Sequence, residues 1–289
     1  MKSLNEYREL TEEYLQQILP VSEEAGAGLA EAMRYSLLAG GKRIRPVLVL
    51  AFCDALGGDL RSVLPAACGL ELIHTYSLIH DDLPCMDNDS LRRGKPTNPV
   101  VYGECTATLA GDCLQAEAFG TILRSALPAE RRAKCAELLA GAAGLDGICG
   151  GQYLDMIGEG KTLSEEELNE INNRKTGALL NAACAMGVAA AGGSEEQLEA
   201  ALCYGSCLGA AFQIRDDMLD VLSTEQELGK PIGSDAQEKK NTMMALYGEE
   251  KCREMIDRLT QYAKSALNGH FADTGFLCSL ADSLAQRKS

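Results

Sequence analysis

No tryptophan occurs in this 289-residue chain, and aromatic residues amount to 5% of it. A core built without large rings is filled by aliphatic and small side chains, and the abundance of alanine, leucine and glycine suits helices packed at close range. Histidine is nearly missing as well. It occupies three positions, none close to the Cys203–Cys207 pair, which argues against zinc. The twelve cysteines are scattered, mostly through apolar helical runs, and read as reduced core residues rather than a disulfide frame. No uncharged apolar run of about eighteen residues is found, so no stable membrane insertion is expected. The opening MKSLNEYRELTEEYLQQ holds no apolar signal core. A cytoplasmic protein is the expectation.

Positive charge is also in deficit, with 27 Lys and Arg against 42 Asp and Glu and a net charge of −15. That balance argues against nucleic acid as a partner. The cations that exist are concentrated: Lys42, Arg43 and Arg45 share one short segment, and Arg92, Arg93 and Lys95 share another. Local field matters more at a site than the global sum.

The stretch Glu71 to Thr97, ELIHTYSLIHDDLPCMDNDSLRRGKPT, organises the rest. An apolar, helix-compatible run ends in Asp81, Asp82 and Asp87, with Arg92 and Arg93 just beyond. Carboxylates this close repel unless a cation sits between them. A hard divalent ion with oxygen ligands answers, and Mg²⁺ brings phosphate ligands with it. Arginines suit the remaining phosphate oxygens. AFQIRDDMLD places Asp216, Asp217 and Asp220 at the end of a second apolar run, with Asp216 and Asp220 on one helical face. Two such clusters can clamp several Mg²⁺ ions around one diphosphate. A merely solvated acidic loop is the alternative for the first cluster alone, and the second cluster weighs against it. In GGKRIRP, glycines followed by Lys42 and Arg45 at a helix start suit a phosphate, although an ordinary interhelix turn would read the same way.

GGKRIRP (40–46), DDLPCMD with RRGKPT, KTG (175–177) and FQIRDDMLD (212–220), in this order, resemble the trans-isoprenyl diphosphate synthases, the polyprenyl synthetase family, and most of all its bacterial farnesyl diphosphate synthase branch. The resemblance runs from about residue 25 to the C-terminus. It implies an all-α, single-domain bundle of ten or more helices around a central apolar cavity, the isoprenoid synthase fold, across 1–289. It implies a transferase that joins an allylic diphosphate, dimethylallyl or geranyl, to isopentenyl diphosphate by ionisation, condensation and elimination. The cofactor implied is Mg²⁺, about three ions per site with diphosphate bound. Asp81, Asp82, Asp87, Asp216 and Asp220 would bind metal, with Asp217 beside them. Arg92, Lys175, Lys230 and Lys240 would hold the allylic diphosphate. Thr176 and Gln213 would face the developing carbocation. Lys42, Arg45, His74 and Arg93 would hold isopentenyl diphosphate. A homodimer is implied as well.

Tyr76, five residues before Asp81, lies roughly 7.5 Å down a helix axis, where its ring and Ser77 would floor the channel for the growing chain. With the two-residue insertion in DDLPCMD this resembles enzymes making C15, so (2E,6E)-farnesyl diphosphate is the expected main product, C20 or C10 the alternatives. Ser90 and Pro99 depart from the family pattern, and the tail SLAQRKS lacks an aromatic often found there. A terpene cyclase would lack GGKRIRP and the second aspartate motif, a non-catalytic subunit would have lost aspartates, and a di-iron bundle would need Glu-x-x-His pairs. Helices are expected over 3–19, 23–39, 46–58, 61–82, 104–127, 128–140, from about 152, from 164 through KTG to 191, over 194–222, 241–268 and 275–287. An extended or looped stretch follows RRGKPTNP.

Overall fold

A computed structural model describes residues 1–19, 26–222 and 242–287. Thirteen α-helices are found there: α1 Leu4–Ile18, α2 Ala27–Leu37, α3 Ile44–Ala55, α4 Leu60–Asp81, α5 Asn98–Tyr102, α6 Glu104–Leu123, α7 Ala129–Ala143, α8 Ile148–Gly158, α9 Glu165–Asn172, α10 Ala178–Ala191, α11 Glu195–Leu222, α12 Met243–Ala266 and α13 Gly275–Ala285. The all-α expectation holds, with one small exception. Leu91–Arg92 and Lys95–Pro96 form an antiparallel hairpin of two two-residue strands, β1 and β2, and the stretch expected to be extended or looped after RRGKPTNP is instead the short helix α5, opened by Pro99 in its first turn. The central turn residues Arg93 and Gly94 both have positive φ, 53° and 74°. That is what a two-residue hairpin needs to match the strand twist. The usual Asn-Gly or Asp-Gly signal is absent, so the hairpin is hard to read from sequence.

Local chemistry explains most boundaries. Ser164 and Glu167 make the expected capping box at the start of α9, and Ser3 with Glu6 makes another at α1. Gly192 closes α10 in the left-handed conformation. The helix predicted to reach Leu127 stops at Leu123. The helix expected to run unbroken through KTG is interrupted by a π-turn over Asn173–Gly177, inserted between α9 and α10.

Helix α4 is the axis. It packs against α3, α6 and α1, and α10 bridges α3, α7 and α11. The 0%-exposed side chains Leu48, Leu50, Leu70, Leu72 and Ile73 mark the core. By length and mean hydropathy α4 could cross a membrane, but 78% of that window is buried among the other helices, and it carries Glu71. A second apolar cluster, Leu168, Ile214, Met218, Met243 and Ile256, ties α9, α11 and α12 together. All twelve cysteines are free thiols. Only five are buried: Cys53, Cys68, Cys135, Cys184 and Cys252. Cys85, Cys105, Cys149 and Cys203 are exposed, which corrects their reading as mainly core residues.

Candidate active site

The C-terminal end of α4 delivers the first aspartate cluster. Asp81 is its last residue and Asp82 its cap. Pro84 cannot supply a helical hydrogen bond, and the chain curls instead. The Asp87 amide donates to the Asp81 carbonyl at 2.9 Å, and Asn88 takes the left-handed conformation that asparagine tolerates. The curl brings Asp87 back beside Asp81. Burial pushes the Asp81 carboxyl up to about 6, against the pull of Lys175 and Arg92 and with the push of Asp87 and Asp82. The Asp82 carboxyl is also raised by burial, and Arg92 opposes this by gripping its Oδ1 through Nε at 2.8 Å and Nη2 at 2.7 Å. Arg92 also reaches Asp89. Its guanidinium is thus engaged with carboxylates rather than directed at open space.

The π-turn carries Lys175 and Thr176. One extra residue in a helix widens it locally and re-aims its side chains, which is why such turns recur at functional sites. Lys175 donates to Asp155 at 2.6 Å, while Thr176 donates to the Gln213 side chain at 2.8 Å. Gln213 in turn donates to Asp217. Asp217 is buried, and its other oxygen caps the start of α12 by accepting from the Met243 amide at 2.8 Å. Asp217 therefore holds structure together, while Asp216 one residue earlier is half-exposed and meets Arg287 at 2.5 Å. Asp220 is buried. Gly151 of α8 lies against the π-turn so closely that a Cβ there would stand 2.3 Å from the Lys175 amide nitrogen. Any side chain at 151 would push the turn away. The buried Gln152 Nε2 beside it has no partner.

A cavity of about 420 Å³ opens between α3, α4, α10 and α11. Lys42, Arg45, His74 and Arg93, four residues grouped from the sequence for one ligand, all line it, with Phe212 and Leu180 as apolar wall. Arg45 Nε and His74 Nδ1 are out of solvent and have no partner. Burial, with Arg45 and Arg93 nearby, pushes the His74 imidazole well down, so it is neutral. The Lys42 ammonium is lowered by burial and by Arg287, while Asp216 opposes this; the second aspartate cluster therefore adjoins the cavity. Arg93 donates to the Gly40 carbonyl and covers Gly41, whose φ of 142° and closeness to the guanidinium leave no room for a side chain. Tyr76 is buried below Asp81, edge-on to His80, with its hydroxyl 3.0 Å from Cys149 Sγ; Ser77 is buried next to it. Lys230 and Lys240 lie outside the described residues.

Three non-glycine residues with positive φ are found among the described residues, Arg43, Asn88 and Arg93. Each flanks this site. A left-handed non-glycine costs roughly 1–2 kcal/mol, and such outliers gather where function over-determines the backbone.

The family model for polyprenyl synthetases matches residues 27–270. The chain is 44% identical to the large subunit 1 of the heterodimeric geranylgeranyl pyrophosphate synthase of Arabidopsis thaliana, over 97% of this chain and 77% of that one. It is likewise 44% identical to the farnesyl diphosphate synthase of Bacillus subtilis, over 90% of this chain and 88% of that one. It superposes on the solved geranylgeranyl pyrophosphate synthetase of Pyrococcus horikoshii with a TM-score of 0.89 at 32% identity, covering 98% and 97% of the two chains. The chain belongs to the polyprenyl synthetase family. As a polyprenyl synthetase it is a prenyltransferase.

Three features of this polyprenyl synthetase escaped the sequence. Arg287 stacks 3.7 Å over the Phe212 ring, donates to the Phe212 carbonyl and pairs with Asp216, bringing the C-terminal segment into the site. Nothing in the tail sequence signals this. The π-turn is invisible because its sequence, NRKTG, carries no pattern that tells an inserted residue from ordinary helix; its weak helix formers Asn173, Thr176 and Gly177 would fit either. Arg43 was counted as one cation among several, yet its guanidinium is fully buried between Glu12 and Glu71, facing away from solvent.

Proposed function

We propose that this polyprenyl synthetase condenses dimethylallyl or geranyl diphosphate with isopentenyl diphosphate and makes (2E,6E)-farnesyl diphosphate as its main product. The observation that supports this most is the cationic cavity: Lys42, Arg45, Arg93 and neutral His74 converge there, with two orphaned buried nitrogens, Arg45 Nε and His74 Nδ1, that a diphosphate would satisfy. Asp216 adjoins the cavity through its charge on Lys42, and Asp81 stands about two helical turns along α4 from His74, so a second diphosphate would sit between the two aspartate clusters.

No three carboxylate, thiolate or imidazole groups converge as a ready-made metal cage among the described residues. Mg²⁺ is held by one or two carboxylates together with substrate phosphate oxygens, so it requires no closed protein cage. The donor set is all oxygen, and burial together with the neighbouring Asp87 raises the Asp81 carboxyl. Asp81, Asp82, Asp87, Asp216 and Asp220 would hold the ions, which supply Lewis-acid neutralisation of the leaving diphosphate. Lys175, Arg92, Lys230 and Lys240 would bind the same diphosphate. In the step itself the allylic C–O bond breaks and diphosphate departs with the electron pair. The isopentenyl double bond attacks the allylic carbon to form the new C–C bond, and a proton is then lost to the released diphosphate. Thr176, oriented by Gln213, would present its oxygen to the cation, and the apolar wall would keep water away. Arg92 would have to exchange Asp82 for phosphate as substrate binds.

Tyr76 supports a C15 limit, since its ring is buried between one and two helical turns below Asp81 on α4. A C20 product is the second reading, because relatives of both kinds are similar to this chain. We also propose that residues 1–289 form one polyprenyl synthetase domain that works as a homodimer. Support comes from α6, where Cys105, Leu109, Asp112, Ala116, Phe119 and Leu123 form an exposed or half-exposed stripe spaced alternately four and three residues apart, as in a coiled-coil seam.

The test is product analysis. Purified protein with dimethylallyl diphosphate, excess isopentenyl diphosphate and Mg²⁺ is expected to yield farnesol after dephosphorylation. Geranylgeraniol or geraniol would retain the chemistry and move the floor; a cyclic hydrocarbon or no product from folded protein would overturn the proposal.

A further inference from the structure

We propose that Arg43, which borders the cavity but whose guanidinium is taken up by Glu12, Glu71 and the Leu37 carbonyl, is a positioning residue that sets the isopentenyl subsite; this rests on the function proposed above. The residue combines two unusual features. Its backbone is left-handed, with φ 53° and ψ 33°, at the N-cap of α3. Its side chain is fully buried and satisfied from three directions. Nε donates to Glu12 of α1 at 2.8 Å, Nη1 donates to Glu71 of α4 at 2.8 Å, and Nη2 donates to the Leu37 carbonyl at the end of α2 at 2.8 Å. One guanidinium thus pins the loop to three helices.

The consequence lies with its neighbours. Lys42 precedes Arg43 and Arg45 follows it by two, and both line the isopentenyl cavity. A left-handed residue between them turns the chain sharply before α3 begins, and the turn decides which way those two cations project. Glu71 stands three residues before His74 on α4, so the two share a helical face. The Arg43–Glu71 pair therefore ties the loop carrying Lys42, and the first turn of α3 carrying Arg45, to the helix carrying His74. Glu71 also lines the cavity, where its charge would repel a diphosphate, and Arg43 neutralises it at close range.

A lysine at 43 keeps the charge but loses the fork that spans Glu12, Glu71 and Leu37. The test is Arg43→Lys in the full chain, read in two ways. Steady-state kinetics are expected to show KM for isopentenyl diphosphate rising roughly tenfold or more, with kcat, KM for the allylic substrate and product length within about threefold of the parent. Calorimetric titration of isopentenyl diphosphate into metal-free protein is expected to show the same loss of affinity without turnover. Parallel loss in all kinetic constants, or unchanged isopentenyl binding in the folded variant, would overturn the inference. Should Arg43→Lys fail to fold, Glu12→Gln weakens the grip from the exposed side; a rise of roughly twofold to fivefold in isopentenyl KM alone is expected, and no change would overturn the inference. Absence of isopentenyl binding by the parent protein would instead count against the proposed function.

Discussion

Asp81 shows how a single residue trades stability for chemistry. Its carboxyl is held up at about 6, above the ordinary value near 3.9, chiefly by burial. A group whose folded pKa is raised stabilises the fold below its unfolded pKa, and that contribution is lost as pH rises through about 6. At neutral pH the metal-free protein therefore holds an ionised acid at a cost. Asp81→Asn is expected to raise the Tm of metal-free protein by roughly 3–6 °C at neutral pH, with the gain vanishing near pH 4, while prenyl transfer collapses. Melts across pH in chelator check this, and an unchanged Tm at neutral pH would refute it. Tyr76 makes the complementary case on the apolar side. Tyr76→Ala removes the ring below Asp81, and sizing of the product alcohols is expected to show C20 or longer chains; an unaltered C15 product would remove Tyr76 as the floor.

Among elements, the π-turn decides the geometry of Lys175 and Thr176. Both were legible as chemistry because a lysine and a threonine in an apolar helix need partners. Their directions were not legible, because one extra residue per turn follows from tertiary packing against Gly151 rather than from local propensity. Deleting Asn173 is expected to restore ordinary helical register, swing Lys175 and Thr176 away from Asp155 and Gln213, and cut kcat by about 100-fold or more. Circular dichroism should show the helix content retained. Near-normal kcat from that deletion would mean that the π-turn does not place these groups. The β1–β2 hairpin teaches the same lesson. RRGKPT was read as a ligand segment, yet its Arg-Gly turn aims Arg93 at the Gly40–Gly41 backbone, a long-range contact that no local pattern encodes.

For the whole molecule, the motifs are spread from residue 40 to residue 220; helix packing brings GGKRIRP, Arg93 and Phe212 to one cavity beside His74 of α4, and sets Lys175 near enough to act on Asp81 at the end of that helix. The α6 stripe points outward from that assembly. If it is a dimer seam, Leu109→Glu places a charge in an apolar contact, and light scattering is expected to fall from twice 30.9 kDa to 30.9 kDa. A parent protein that is already monomeric, or a variant that stays dimeric, would reject α6 as the seam.

The sequence by itself determined the helical class, the main helix boundaries and the residue types of both aspartate motifs and the cationic set. These depend on local rules: apolar periodicity, capping, and the need of clustered carboxylates for a cation. It also determined that Asp87 could fold back to Asp81, since Pro84 leaves the helix no continuation. Only the tertiary structure decided which charges face a cavity and which are spent on one another. Arg92 grips Asp82, Asp217 caps α12, and Arg43 lies buried between Glu12 and Glu71. Only it brought Arg287 from the far end of the chain onto Asp216. The physical reason is that a charge's role is set by its distance to other charges and to solvent, and those distances between remote segments exist only once the helices have packed.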